Sequence, residues 1–368
     1  MRAALPRRTM RSARARPEGS AAPDPERRPG WPSRIVALVP VYNDWEAARR
    51  LLLELDSAFA GTGMQLRVVF LDDGSSSETP SSLGAVDLRL VSAVDVVLLR
   101  RNLGHQRAIA IGLAFVQARM DCDALLVMDG DGEDSPSDAL RLLAALESQD
   151  KPQVVFAERT KRSEGLVFQA GYLAFRIAHR ILTGHRIRFG NFSVVPRALL
   201  DRLVGTSELW NHYVAAVVVA RVPYSGLPTA RAKRLFGQSN MRLQDLVIHG
   251  FRALSVFSET IGVRALTASG VVGVLAAFVC LPLLALPGVR EGAAVWVVAG
   301  ALALLWGLAV HGIVVSSVFL FATLGTRSLM GFLPLRDYEH FVLEVSHLGG
   351  AERRERMASA SSRSGPGS

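Results

Sequence analysis

Ala124-Leu125-Leu126-Val127-Met128-Asp129-Gly130-Asp131-Gly132-Glu133-Asp134-Ser135-Pro136 joins five apolar residues to four carboxylates within the next six positions. The apolar run has the length of a buried strand, and Asp and Gly make the turn that ends it. Acids clustered at one end of a sheet repel one another, and something cationic normally compensates them. Hard oxygen donors on a tight turn suit Mg²⁺ or Mn²⁺, and such an ion usually shares its shell with substrate phosphates. An acidic turn that holds nothing has the same local pattern, so the flanking sequence has to decide.

Outward from this stretch, residues 34–205 alternate between two patterns. Ile35–Val41, Leu66–Leu71, Val94–Leu99, Ala124–Met128 and Val154–Ala157 are short, apolar and rich in Val, Leu and Ile. Residues 44–60, 105–119 and 136–148 carry amphipathic helical spacing. Buried strands alternating with helices predict a mostly parallel α/β sheet. Ligands of such sheets bind beyond the carboxyl ends of the strands. Four polar, turn-forming segments fall at those ends: Pro40-Val41-Tyr42-Asn43-Asp44, Asp72-Asp73-Gly74-Ser75, Asn102-Leu103-Gly104-His105-Gln106 and the acid cluster. Together they outline one site.

The chain has 368 residues, 49% of them hydrophobic, and a formal net charge of +9. Residues 266–288 and 294–324 contain no Asp, Glu, Lys or Arg, and each exceeds the roughly 20 apolar residues that a bilayer span needs. The short gap at 289–293 makes the two a hairpin. Arg231, Lys233, Arg234, Arg242, Arg252 and Arg264 precede it, Arg327, Arg336, Arg353, Arg354 and Arg356 follow it, and only Arg290 lies between the spans. The positive-inside rule therefore places both flanks in the cytoplasm. Residues 240–262 carry Leu243, Leu246, Val247, Phe251, Leu254 and Phe257 at helical spacing, with Arg242, His249 and Arg252 interspersed, as expected of a helix in the membrane interface or packed on the soluble domain. Residues 1–33 read as a disordered basic tail rather than a secretory signal. The basic excess lacks aromatic interleaving, which argues against a nucleic-acid partner. Cys122 and Cys280 form no disulfide framework and read as small apolar packers.

V-P-V-Y-N-D at 39–44, L-D-D-G-S-S at 71–76, R-N-L-G-H-Q at 101–106 and M-D-G-D-G-E-D at 128–134 resemble glycosyltransferase family 2. That family has the GT-A nucleotide-diphospho-sugar transferase fold. Within it, the likeness is to the polyprenyl-phosphate glycosyltransferases of the dolichol-phosphate mannosyltransferase type, which often carry a C-terminal helical hairpin. The resemblance implies a GT-A domain over 34–232 after the tail at 1–33. A basic loop and interfacial helix over 233–265, spans at 266–288 and 294–324, and a cytoplasmic tail over 325–368 would complete the chain.

Carried over position by position, the resemblance makes Pro40, Tyr42 and Asp44 the loop around the nucleotide base. Asp72 would contact base or ribose, with Asp73 orienting the turn. Asn102, Gly104 and His105 match the segment beside the sugar nucleotide. Asp129 and Asp131 match the metal-binding D-x-D, with Glu133 where relatives have a Gln that can also touch the metal. Arg159 matches a basic residue near the phosphates, and it joins Asp129 and Asp131 in the expected catalytic set. Arg231, Arg234, Gly237 and Ser239 resemble a mobile basic loop that closes over the site. The family's acceptor-holding Ser and Arg have no clean counterpart, so Arg176 or Arg180 would substitute, near Gln169-Ala170-Gly171. Asn191 stands where relatives usually have Asp. Trp210 and His212 fit either the core or the acceptor side.

The implied reaction moves a sugar, with inversion, from a UDP- or GDP-sugar to a polyprenyl phosphate at the cytoplasmic membrane face, with Mg²⁺ or Mn²⁺. A lipid phosphate is already anionic near pH 7 and needs positioning more than a strong base. A sugar hydroxyl would need one, with Glu208 or Asp134 as candidates. Two other readings stay open: a family 2 transferase with another acceptor, though the Q-x-x-R-W motif of processive synthases is absent, and a non-catalytic membrane scaffold. A homo-oligomer is compatible with each.

Overall fold

The computed structural model describes residues 32–77, 79, 83, 86, 88–159, 166–185, 189–229, 243–285, 294–328 and 331–349. The central element is an eight-stranded sheet. In chain order its strands are β1 (Arg34–Val41), β2 (Gln65–Asp72), β3 (Val91–Leu99), β4 (Ala124–Val127), β5 (Val154–Arg159), β6 (Ser193–Pro196), β7 (Tyr224–Thr229) and β8 (Val342–Gly349). Their spatial order is β7-β5-β6-β4-β1-β2-β3-β8. β4, β1, β2 and β3 are parallel, β5 and β7 run with them, and β6 and β8 run against them.

The alternation of β1 side chains divides the core. Val36 and Leu38 face α2 (His105–Arg119), α5 (Arg197–Val204) and α6 (Tyr213–Val219), whereas Ile35, Ala37, Val39 and Val41 face α1 (Trp45–Ala58) and α3 (Pro136–Glu147). A strand buried on both faces must be apolar throughout, as β1 is from Ile35 onward. α3 begins with Pro136 after Ser135, whose hydroxyl accepts from the Asp138 N–H at 3.1 Å.

The remaining elements tie this domain to the hairpin. These are α4 (Leu166–Thr183), α7 (Leu243–Ser255), α8 (Ser258–Ala285) and α9 (Ala294–Ser328). α4 exposes Leu173, Ile177 and Ile181 along one stripe, and α7 exposes Val247, Ile248 and Phe251. The two helices pack so closely that a Cβ on Gly250 would meet the Phe175 ring at 2.9 Å. Arg264 at the start of α8 donates to the Ile181 carbonyl at 2.8 Å, using a free carbonyl at the α4 C-terminus. α8 and α9 touch through small residues, with a Gly273 Cβ position 3.2 Å from the Ala309 Cβ. Only 17% and 6% of their apolar windows is buried within the protein. Core helices would be covered; these leave their apolar surface for lipid, and the protein is membrane-bound.

Part of the segment expected as a cytoplasmic tail over 325–368 folds onto the sheet. Residues 331–349 return to the sheet through α10 (Pro334–Asp337) and a 3₁₀ turn, and β8 pairs antiparallel with β3. The tie is polar as well: buried Asp95 on β3 pairs with Arg67 at 2.5 Å and with His347 of β8. Residues 350–368 and the tail at 1–31 lie outside the described residues, as do the basic loop at 230–242 and Arg290.

Candidate active site

The sheet topology brings eight strand termini to one end: the carboxyl ends of β1 to β5 and β7, and the amino ends of β6 and β8. Two glycines let the loops there close on one another. Gly74 has φ +69°, and a Cβ on it would stand 2.6 Å from Arg101 C and Asn102 N, so the loops after β2 and β3 meet backbone to backbone. A Cβ on Gly130 would stand 3.2 Å from the Pro40 carbonyl oxygen, which sets the acidic loop against the end of β1.

Carboxylates and amides then fix each loop. Asp73 accepts from the Leu103 and Gly104 N–H groups at 2.7 and 2.8 Å and so holds the start of α2. Burial raises the Asp73 pKa, and those two donors together with His105 only partly oppose it. Asp72 accepts from the Ser75 N–H at 2.8 Å. Both acids of the pair therefore orient turns, including the one expected at base or ribose. Asn43, at φ +56°, accepts from the Ser76 N–H at 2.8 Å and stitches the first loop to the second. Tyr42 is exposed beside it, and Asp44 precedes α1.

The acidic loop is braced from within. Asp134 accepts from the Asp129 N–H at 2.9 Å, and Asp131 accepts from the Glu133 N–H at 3.0 Å. The donor set is all oxygen, the kind that Mg²⁺ and Mn²⁺ prefer. Among the described residues no group of three or more metal-ligating side chains is preassembled. Asp129 and Asp131 could fill part of a divalent shell, with phosphate oxygens and water completing it, so the residues present fit such an ion.

His105 connects this loop to the far wall. Its Nε2 lies 3.1 Å from Asp129 Oδ1 and 2.9 Å from Asn191 Nδ2. Burial pulls the imidazole pKa down, but Asp129, with Asp73 and Asp131 behind it, more than offsets this, and the pKa lies above the ordinary value. Neutral His105 accepts from Asn191; protonated, it donates to Asp129. The amide orientations follow from one backbone group. The Tyr213 N–H donates to Gln106 Oε1 at 2.7 Å, which turns Gln106 Nε2 toward Asn191 Oδ1 at 3.0 Å and Asn191 Nδ2 toward His105. An amide at 191 supplies both an acceptor and a donor here, which a carboxylate does not.

The far wall comes from the juxtamembrane helix. His212, 4% exposed, takes the Ala215 N–H on Nδ1, so its proton sits on Nε2 and points to His249 Nε2 of α7 at 3.3 Å. Burial, then the nearby histidines, push the His212 pKa down to about 3. Burial also lowers His249, helped by His105 and Arg252. Arg107 sits 4.9 Å over the Trp210 ring, which packs on Phe332 and Phe341 of the returning segment.

The structure thus gathers Asp72, Asp73, Gly104, His105, Asp129, Asp131 and Glu133 at one end of the sheet. Asn102 lies exposed in the same loop. Arg159 ends β5 at that end, and its side chain lies outside the described set. Arg176 is exposed on α4 beside Leu173 and Ile177. Arg231, Arg234 and Ser239 lie outside the described residues. The sequence reading placed Gln106 in a segment outlining the site but gave it no role, and it did not assign His249 or Arg107 to the site. His249 carried one signal: it falls on the helix side opposite Val247 and Phe251.

Residues 36–204 match the family model described as glycosyl transferase family 2. The chain carries a glycosyl transferase family 2 domain. The sheet and its helices are accordingly a GT-A-like domain, and the protein is a glycosyltransferase. The chain is 28% identical over 245 residues to the undecaprenyl-phosphate 4-deoxy-4-formamido-L-arabinose transferase of Klebsiella pneumoniae subsp. pneumoniae, covering 62% of this chain and 72% of that one. The protein of the same name from an Enterobacter species is 28% identical over 261 residues, covering 66% and 76%. Among solved structures, glucosyl-3-phosphoglycerate synthase from Mycobacterium tuberculosis, crystallised with Mn²⁺ and UDP-glucose, aligns at 16% identity and a TM-score of 0.45, covering 64% of this chain and 86% of that one.

Proposed function

We propose that this glycosyltransferase moves a sugar from a UDP- or GDP-sugar to a polyprenyl phosphate at the cytoplasmic face of the membrane, with inversion at the anomeric carbon. The observation that carries the reading is the position of α7. One side of this helix exposes Val247, Ile248 and Phe251 to the bilayer, and the other sets His249 against His212 beside the donor site. An acceptor whose tail stays in lipid can reach such a site with its headgroup alone. The names of the relatives from Klebsiella and Enterobacter point the same way.

In this reading Asp129 and Asp131, with Glu133 beside them, hold Mg²⁺ or Mn²⁺, which when bound neutralises charge on the nucleotide diphosphate. Pro40, Tyr42, Asp44 and Asp72 surround the base and ribose, and Asn102 and Gly104 flank the sugar. Asp73 fixes the start of α2, and the Gln106–Asn191 chain holds His105 against Asp129. Arg159 and the basic loop with Arg231, Arg234 and Ser239 attend the phosphates. The lipid phosphate oxygen attacks the anomeric carbon as an anion while the bond from that carbon to the nucleotide diphosphate breaks and the diphosphate leaves with the electron pair, so no general base has to remove a proton. Cytoplasmic placement rests on the Arg and Lys distribution, and the return of β8 to the sheet requires an even number of crossings.

The test is transfer from radiolabelled UDP- and GDP-sugars into an organic phase, using the purified full chain, Mn²⁺ or Mg²⁺ and undecaprenyl phosphate. The expected result is an acid-labile lipid product that EDTA abolishes, with one donor preferred. Donor turnover without any lipid product would contradict the acceptor.

A further inference from the structure

Arg252 reaches from α7 to the start of α2, where Arg107 and Arg101 add like charge. Gly104 is the N-cap of α2, and Arg107 lies in its first turn. Arg252 Nη1, from α7, stands 3.6 Å from the position a Gly104 Cβ would take. Arg107 is held in place by the Trp210 ring, itself wedged against Phe332 and Phe341. Burial, then the charges of Arg252 and Arg101, keep Arg107 below its usual pKa. The carboxylate that faces Arg107 is Asp73, and both its oxygens are committed to the Leu103 and Gly104 N–H groups. Among the described residues, neither Arg107 nor Arg252 has an ion-pair partner. Like charges gathered this way favour an anion between them.

We propose that Arg107 and Arg252, with Arg101 at the rim, form the pocket that takes the phosphate monoester of the lipid acceptor. The inference rests on the polyprenyl-phosphate reading and gives its acceptor a site. Arg252 follows Phe251 directly: Phe251 is 67% exposed on the lipid side, and Arg252 turns to Gly104. A headgroup bound there sits at interface depth with its tail in the bilayer. The donor's diphosphate is chemically similar, so the test must separate the two anions.

The experiment uses the full chain in nanodiscs. Undecaprenyl phosphate and undecaprenol binding are measured by native mass spectrometry, and Mn²⁺–UDP and Mn²⁺–GDP binding by calorimetry. Arg252→Ala should weaken undecaprenyl phosphate about tenfold or more and leave undecaprenol and nucleotide binding unchanged. Arg252→Lys should recover part of the loss, and Arg107→Ala should act in the same direction. Among the described residues the guanidinium stacked on Trp210 is that of Arg107, so Arg252 variants test the charge apart from that stacking. If the wild type prefers the phosphate and both alanine variants keep that preference, the pocket is wrong and the acceptor reading stands. A fall in nucleotide binding instead would assign these cations to the donor and overturn the proposal. A wild type that binds both lipids alike would overturn the acceptor reading and the pocket with it.

Discussion

The two walls of the cleft are built in opposite ways. The acidic wall is local: one strand end and a six-residue turn supply Asp129, Asp131, Glu133 and Asp134, and backbone N–H groups of the same turn brace the carboxylates. The opposite wall is assembled from distant segments. Arg107 comes from α2, His212 from the start of α6, Arg252 and His249 from α7, and Phe332 and Phe341 from beyond the hairpin. A local wall keeps its shape as long as its strand is paired. An assembled wall depends on where the membrane segments sit, so donor binding and acceptor binding can fail separately.

The sharpest way to break that comparison is Asp131→Ala. Loss of a carboxylate that holds a divalent ion should lower transfer by about a thousandfold or more while the protein stays folded and in the membrane. Transfer rates and a thermal melt on the same preparation check both halves. Full activity in this variant would remove the acidic wall from the chemistry.

The amide chain between the walls should give a smaller loss. Asn191→Ala leaves His105 held by Asp129 alone, and about a 10- to 100-fold fall in kcat is expected, with less change in donor KM. Asn191→Asp restores the acceptor for Gln106 but not the donor to His105, so steady-state kinetics should place it between the alanine variant and the wild type.

Acid should act on the assembled wall. Folded His212 binds its proton only near pH 3, against an ordinary value of 6.5, so between those values the unfolded chain binds more protons. The contribution to stability is present above about pH 6.5 and is lost as pH falls below it, at up to about 1.4 kcal/mol per pH unit. His249 shifts in the same direction. Melting temperature against pH should show this slope, and His212→Asn should flatten it.

Smallest of all, His347→Ala removes one of the two partners of buried Asp95 and leaves Arg67. A loss of about 1 kcal/mol in stability is expected, read by denaturant melts, with donor binding unchanged. A larger loss that also reduces activity would mean that β8 does more than close the sheet edge.

What the sequence disclosed follows the same division. The parallel sheet, the turn at 128–134 and the hairpin are legible because each is set by neighbours along the chain: apolar runs of fixed length, Asp-Gly turns and charge-free spans. The return of β8 was not legible. Val342–Gly349 is a short half-exposed strand, and what fixes it is the pairing with β3 and the buried charge of Asp95, some 250 residues away. The exposed stripe of Leu173, Ile177 and Ile181 on α4 went unread, although its spacing of four marks a helix face. Asn191 was noticed only as a departure from relatives. Its physical reason lies in Gln106 and the Tyr213 backbone, which no local pattern connects to it.

The central claim is that the site receives an anionic lipid headgroup at the membrane face. The most direct test offers undecaprenyl phosphate and undecaprenol in parallel to the full chain, with the preferred sugar nucleotide and Mn²⁺ or Mg²⁺. Transfer to the phosphate alone, with an acid-labile and inverted linkage, is the predicted result. Equal transfer to the alcohol, or none to either while the donor is still turned over, would contradict it.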